Sequence, residues 1–329
     1  MRHLLALALA FGLTTAASAQ SNTASTVQSG TNNTALVDQD GSANDASITQ
    51  SVDGNVAESD QDGDGNQFTA VQTGNRNLVL DFDQIGNDNV ATLTQTGDDN
   101  VVDIAQQTGD SHDLTVTQTG NRNEAGVLGV GTGALDQRDV NNEAELIQMG
   151  DDNDVFLEQN GENNVAFSRQ TGSENVTSIT QVGDNNRSAA RVNVDGFSND
   201  VFIDQLGDDH RAIVALRGDD NDYDIDQFGG NGNRLNLQGD ATMQSDLNQF
   251  TLIQNGNANL VSGSLVGSSN VVSVTQLGTG NAMGTGLSGL DGLVIDGDAN
   301  VVTVNQLSDG NTASVSITGN GNTSTITQN

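Results

Sequence analysis

Apolar and polar residues alternate along this chain in short runs that restart about every eleven residues. In Val90-Ala91-Thr92-Leu93-Thr94-Gln95 and again in Val272-Ser273-Val274-Thr275-Gln276, every second side chain is Ala, Leu, Val or Gln, and those between are mostly Thr or Ser. A period of two puts alternate side chains on opposite faces of an extended strand. The unit Gln39-Asp40-Gly41-Ser42-Ala43-Asn44-Asp45-Ala46-Ser47-Ile48-Thr49 shows the whole pattern. Asn44, Ala46, Ile48 and Gln50 share one face, Asp45, Ser47 and Thr49 the other, and Gly41 marks the reversal. Threonine-rich, β-branched runs punctuated by Gly and Asn predict one short strand and one turn per unit.

The same slots recur along the chain. Gln stands at Gln28, Gln39, Gln50, Gln61 and Gln72, then at Gln84, Gln95, Gln107 and Gln118, with single extra residues before Gln84 and Gln107. It resumes at Gln137, Gln148, Gln159, Gln170 and Gln181 and continues, after a slip, to Ile317. A fixed short period specifies a stacked array in place of one globular core. Which face is inside follows from the substitutions, because where Gln is lost the replacement is Val194, Leu216, Met243, Leu265, Ile295 or Ile317, all apolar. The Gln slot is therefore inward. The Asn slot five residues on admits only His112, His210 and Gly232, and a slip of one residue at the last restores Asn233.

Buried amides are costly unless hydrogen-bonded. Stacking identical amides in register satisfies them, each donating to one neighbour and accepting from the other. The predicted ladder comprises Gln28, Asn33, Gln39, Asn44, Gln50, Asn55, Gln84, Asn89, Gln95, Asn100, Gln159, Asn164, Gln170 and Asn175. The predicted turn residues are Gly30, Gly41, Gly86, Gly97, Gly161 and Gly172, suited to positive φ. Val52, Asp139, Ser245 and Ser308 break that rule, which predicts looser turns there. Two eight-residue excursions, near residues 126–136 and 284–294, are Gly-rich and predict loops that bulge from one continuous array.

Composition refines this picture. Arg2 and His3, the apolar run Leu4 to Leu13 and Ala17-Ser18-Ala19 have the layout of a secretory signal peptide over residues 1–19, leaving 20–27 as a short segment outside the repeats and 28–329 as the array. No later stretch approaches the roughly 20 apolar residues of a spanning helix, so no membrane insertion is expected. The chain has no cysteine, which removes disulfides and thiolate metal sites. A net charge of -34 disfavours nucleic acid and anionic membranes as partners. It would also suggest disorder, were it not for the periodicity.

The pattern Gln-x-Gly-x-x-Asn-x-Ala-x-x-x-Gln, nearly intact from Gln28 to Gln39, Gln39 to Gln50, Gln84 to Gln95 and Gln159 to Gln170, resembles the curlin repeat of bacterial curli amyloid subunits. The resemblance implies an all-β, flattened β-solenoid of about twelve two-strand coils built from 11-residue half-repeats. It also implies a structural subunit of extracellular fibres of the biofilm matrix, stacked end to end. The partners implied are the chain itself as a homopolymer, other curli subunits or a nucleator, and the export machinery of the outer membrane. The chain is longer and more acidic than the family pattern, and it carries the two extra loops. A non-polymerising cell-surface β-solenoid that binds a partner or calcium is the alternative.

Other signals add little chemistry. Asp60-Gln61-Asp62-Gly63-Asp64-Gly65 places carboxylates like the start of a calcium loop, yet Val71 stands where an EF-hand needs a bidentate Glu. Acidic turns such as Asp98-Asp99 and Asp151-Asp152 predict crowded charge that acid or weak Ca2+ bridging would relieve. Outward Thr pairs, Thr92 with Thr94 and Thr115 with Thr117, suggest an ice-binding array, but Glu145 and Ile147 interrupt it on the next unit of that face. His112 and His210 both sit in the Asn slot, so no catalytic residue, cofactor or specific metal ligand is expected and no enzyme is predicted.

Overall fold

The computed structural model describes residues 21–103, 105–126, 135–238, 245–284 and 292–329. The leader predicted over residues 1–19, Met243 and most of each Gly-rich excursion lie outside the described residues. The described chain is all-β: short strands alternate between two sheets, and each strand pairs in parallel with the strand one coil away. Thr23–Ser29, Asp45–Ser51 and Gln67–Thr73 open the first sheet; Thr34–Asp40, Val56–Asp62 and Leu78–Ile85 open the second. Two half-repeats close one coil, so Gln28 pairs with Gln50 and Gln39 with Gln61. The fold is a flattened β-solenoid of about twelve coils, as the resemblance to the curlin repeat implied.

Strand burial alternates as the sequence pattern requires. In Asp45–Ser51 the side chains of Ala46, Ile48 and Gln50 are buried and those between them are not. The core is only two inward apolar rows deep from each sheet, mostly Ala or Val on one row and Ile, Leu or Val on the other. Phe68 and Phe82 meet across it with ring centroids 4.9 Å apart, and Tyr223 stacks along it on Phe250 at 5.6 Å. A layer this thin contributes little per coil. Stability has to accumulate from neighbour-on-neighbour contact, as in other solenoids.

The segment placed outside the repeats is, from Thr23 onward, inside them. Thr23–Ser29 is the first strand and pairs residue for residue with Asp45–Ser51. The physical reason is that the Gln slot closes a strand and does not open one, so the residues before Gln28 supply the rest of its rung.

Most insertions enter at the middle of rungs, the extra residue between Phe228 and Asn231 entering instead at a turn. The extra residue before Gln84 shifts the register between Ala57 and Ser59, with Asp81 in a left-handed conformation. The first Gly-rich excursion splits a rung into Glu124–Ala125 and Leu135–Val140, which lie end to end against Asp154–Glu162. The second likewise separates Ala282–Met283 from Leu293–Asp296, opposite Leu260–Val266. Rung ends are fixed by the Asn and Gln contacts described next, so added length escapes where no ladder holds the chain.

Candidate functional site: the amide ladders

The second sheet carries an unbroken glutamine chain. Each Nε2 donates to the Oε1 of the Gln one coil on, from Gln39 through Gln61, Gln84, Gln107, Gln137, Gln159, Gln181, Gln205, Gln227, Gln254, Gln276 and Gln306 to Gln328, at 2.7–3.0 Å. The second Nε2 hydrogen goes to backbone carbonyls, as from Gln159 to Glu143 at 3.1 Å. Every amide between the two ends therefore has both roles filled in a site closed to water.

The first sheet keeps this ladder only part of the way. Gln28, Gln50, Gln72, Gln95, Gln118, Gln148 and Gln170 are linked in the same manner. Beyond Gln170 the slot turns aliphatic, with Leu216, Leu265, Ile295 and Ile317 all buried. At the boundary the last donor is not orphaned, because Gln170 Nε2 reaches Thr177 Oγ1 at 3.1 Å. One chain thus shows two ways of filling the slot, an amide row up to Gln170 and, at the described positions beyond it, buried aliphatic side chains, with a hydroxyl at the change.

The asparagines work differently from the simple amide stack expected of them. Asn44 Oδ1 accepts the backbone N–H of Asn66 at 3.0 Å, while its Nδ2 donates to the carbonyl of Gly63 at 2.8 Å and to that of Asp40 at 3.0 Å. Asn89 and Asn164 repeat the arrangement with Gly109 and Gly183. On the edge that leads into the second sheet there is a further bond. Asn55, Asn100 and Asn175 also donate Nδ2 to the Oδ1 of the Asn one coil earlier, Asn33, Asn77 and Asn153 respectively. That oxygen then accepts twice, from a backbone N–H and from a side-chain amide. The Asn slot is a turn clamp that ties side chain to neighbouring backbone, since a carbonyl oxygen with two lone pairs and an amide with two hydrogens can serve four partners.

This difference explains where histidine is admitted. His112 and His210 both lie on the edge leading into the first sheet. Each Nδ1 accepts the next backbone N–H, from Asn142 and Asn233, at 3.2 Å. Nδ1 is therefore unprotonated and the proton sits on Nε2, which faces the carbonyls of Thr108 at 3.3 Å and Leu206 at 3.2 Å. An imidazole nitrogen has one lone pair, enough for this edge and one short for the other. Burial holds both rings neutral by lowering their pKa below the ordinary value. Asn233 fills the slot beside Gly232, as the one-residue slip predicted.

The turn glycines are required by contact as well as by conformation. Gly30, Gly41, Gly86, Gly97, Gly161 and Gly172 have φ between 102° and 123°, and a Cβ on any of them would lie 1.8–2.3 Å from a backbone carbonyl oxygen of the next coil. At two of the four exceptions the turn is not loose: Val52 and Asp139 hold φ of 77° and 79°, a left-handed conformation that a β-branched residue adopts only under strain. Ser308 instead accepts from Asn311 Nδ2 through Oγ at 3.1 Å.

One ladder was missed in the sequence. The Asp or Asn directly after the turn Gly accepts the backbone N–H of a residue one coil earlier: Asp64 from Ser42, Asp98 from Asn75, Asp110 from Asn87, Asp151 from Asn121, at 2.7–2.8 Å. Its signal was an acidic or amide residue recurring immediately after Gly. Part of the expected charge crowding is thereby absorbed. Arg76 forks onto Asp99 and Arg122 onto Asp152 in two-bond pairs at 2.6 Å, and the guanidinium lowers the pKa of each carboxylate. Elsewhere the crowding is real: Asp38, Asp60 and Asp83 lie in register, and burial followed by the neighbouring charges raises the pKa of Asp60. In the calcium-like stretch Gln61 points inward into its ladder, and among the described residues no group of three or more His, Cys, Asp or Glu could hold a metal ion.

The curlin associated repeat matches this chain over residues 19–51, 86–120, 150–183, 172–207 and 196–229. The chain belongs to the curlin-repeat family. No curated protein matches it. The curlin-repeat fold seen here is structural in kind, and the ladder residues account for both histidines of the described chain.

Proposed function

We infer that this curlin-repeat protein is a structural subunit of extracellular curli-type fibres, exported across the outer membrane and stacked end to end in a matrix that supports adhesion and biofilm. The observation that carries this reading is the complementarity of its two ends. Thr23–Ser29 is exposed along its whole length and Thr34–Asp40 along half, while Thr323–Gln328 is exposed at alternate residues at the other end. Unpaired strand edges template further strands. Gln39 begins the long Gln ladder and Gln328 ends it, so a second copy placed one coil beyond Gln328 continues the chain of amides. The same placement sets Thr323, Thr325 and Thr327 opposite Thr34, Leu36 and Asp38, with no carboxylate facing another. Acid or divalent cations, acting on rows such as Asp38, Asp60 and Asp83, would aid assembly by relieving repulsion within each subunit.

The test is to incubate purified mature protein and follow thioflavin fluorescence with and without preformed seeds. Seeded, dye-positive fibres are expected, and a variant with charged residues at Gln28, Asn33, Gln39 and Asn44 should lose them. A protein that stays monomeric and dye-negative would instead be the non-polymerising surface solenoid.

A further inference from the structure

The glutamine row of the first sheet ends inside the molecule, and its end is chemically marked. Gln148 Nε2 has three acceptors: the backbone carbonyls of Glu124 and Asn153, at 2.9 and 2.7 Å, and Oε1 of Gln170 one coil on, at 3.2 Å. Gln170 keeps the two carbonyls, of Asp154 at 2.8 Å and Asn175 at 3.0 Å, and Thr177 Oγ1 at 3.1 Å takes the place of the missing glutamine. Thr177 belongs to an inward row of the second sheet that runs in register from Ala35 in the first coil to Ser324 in the last. Thr177 and Ser324 are the only serine or threonine side chains in that row; the others are Ala, Val, Tyr or Phe. Ser324 is half-buried on the inner side of the terminal strand, seven residues after Ile317 as Thr177 is seven after Gln170. Within its own chain it stands beside an aliphatic slot that needs no hydroxyl.

We propose that Ser324 forms the joint between copies in the first sheet, its hydroxyl donating to Oε1 of Gln28 of the next copy. The inference rests on the end-to-end stacking proposed above, which sets Gln28 of the second copy one coil beyond Ile317 as it sets Gln39 one coil beyond Gln328. Within a chain Gln28 donates to Gln50 and Gln50 to Gln72, so each Oε1 takes its hydrogen from the coil before. Ile317 has none to give, and Oε1 of the incoming Gln28 enters the closed joint without its ladder donor. The coil geometry supplies a substitute. Gln50 Nε2 donates to the carbonyl of Thr34, in the second-sheet strand that completes the coil before, at 2.7 Å. Continued across the joint, the same spacing of sixteen residues brings the amide of the incoming Gln28 to the carbonyl of Thr323. Ser324 is the next residue, with its side chain turned inward. A hydroxyl both accepts and donates, so one row serves both ends of the glutamine ladder. Thr177 accepts from its last donor, and Ser324 donates to its first acceptor. An aliphatic residue at position 324 would leave that acceptor unpaired and shut off from water.

The experiment grows fibres from the full mature chain, sediments them and assays the monomer left in the supernatant at equilibrium. Ser324→Ala should not disturb the fold, since Ala35, Ala57 and Ala125 fill the same row, and the melting of dilute monomer should match the parent. Residual monomer should rise roughly ten-fold, equivalent to about 1.4 kcal/mol and in the range of one orphaned buried acceptor. In an Ile317→Gln background the new Nε2 donates to Gln28 of the next copy directly, and there Ser324→Ala should change residual monomer by less than about two-fold. Thr325→Ala, on the outward face of the same strand, should leave it unchanged. Residual monomer unaltered by Ser324→Ala, a ten-fold rise that persists in the Ile317→Gln background, or an equal rise from Thr325→Ala overturns the hydroxyl joint while leaving end stacking intact. Absence of fibres from the parent overturns the end stacking and the hydroxyl joint with it.

Discussion

Replacing one inward glutamine of the long ladder by leucine should cost nearly as much as replacing two adjacent ones. Gln159 accepts from Gln137 at 2.9 Å and donates to Gln181 at 2.8 Å. Leucine fits the slot, as Leu216 and Leu265 show in the other sheet. Gln159→Leu leaves one donor on Gln137 and one acceptor on Gln181 without partners, both closed to water. Each buried orphan costs about 1–3 kcal/mol, so the single change should cost about 2–6 kcal/mol before any gain from the leucine itself. Adding Gln181→Leu removes the orphan on residue 181 and creates one on Gln205, whose Oε1 had accepted from Gln181 at 2.9 Å. The number of orphans stays at two. Gln159→Leu combined with Gln227→Leu creates four, because Gln227 has its own partners in Gln205 and Gln254, each at 2.8 Å. Both double variants bury two leucines, so that gain cancels in the comparison. The separated double should be less stable than the adjacent one by about 2–6 kcal/mol. Urea midpoints of dilute, non-polymerised protein, followed by far-ultraviolet circular dichroism, provide the measurement. Equal midpoints for the two doubles would show that the amides act singly and that the ladder is not one connected chain of hydrogen bonds.

Three further predictions concern the edges and turns. Asn100→His should destabilise by about 1–3 kcal/mol, because Asn100 Oδ1 accepts both the N–H and the Nδ2 of Asn123, at 3.1 Å each; His112→Asn, on the other edge, should be tolerated, and thermal melts separate the two outcomes. The same histidines set a pH signature: their folded pKa is lowered by burial, so their contribution is complete above about 6.5 and is lost as pH falls towards the folded value. Asp154 has the opposite sign, since burial first, then Glu124 and Asp152, raise it to about 6, and its contribution is complete below 3.8 and lost as pH rises through 6. The double variant His112→Asn with His210→Asn should therefore gain on the parent in melting temperature from pH 7 to pH 5, and a constant difference would refute the neutral-acceptor role. Val52→Gly should stabilise by about 0.5–1 kcal/mol through relief of a left-handed β-branched residue, while Gly86→Ala should destabilise by about 2 kcal/mol or more, its Cβ lying 2.0 Å from the Gly109 carbonyl oxygen; denaturant midpoints moving the other way would contradict the turn geometry.

Much of this architecture was legible in the sequence because a solenoid repeats its instructions. Strand faces follow from period two, and the apolar replacements at Leu216, Leu265, Ile295 and Ile317 placed the Gln slot inside without any knowledge of its partners. A further signal lay unused in the same residues. Those replacements fall only in alternate half-repeats while Gln205, Gln227, Gln254 and Gln276 persist between them, which is the mark of two sheets with different interiors. The segment before Gln28 was misjudged for a related reason: a period shows spacing, and where a strand begins within the period depends on which residue closes the turn.

The sequence by itself determined the repeat, the inward and outward faces, the turn glycines and the amide content of the core, because these depend on residues adjacent along the chain. The tertiary structure decided everything that depends on the neighbour one coil away. Closure after two half-repeats makes that neighbour the residue about twenty-two positions on, so that Asn44 meets the backbone of Asn66 and Asp64 meets that of Ser42. It is also why histidine is confined to one edge: the count of lone pairs needed at a slot is set by the coil above it.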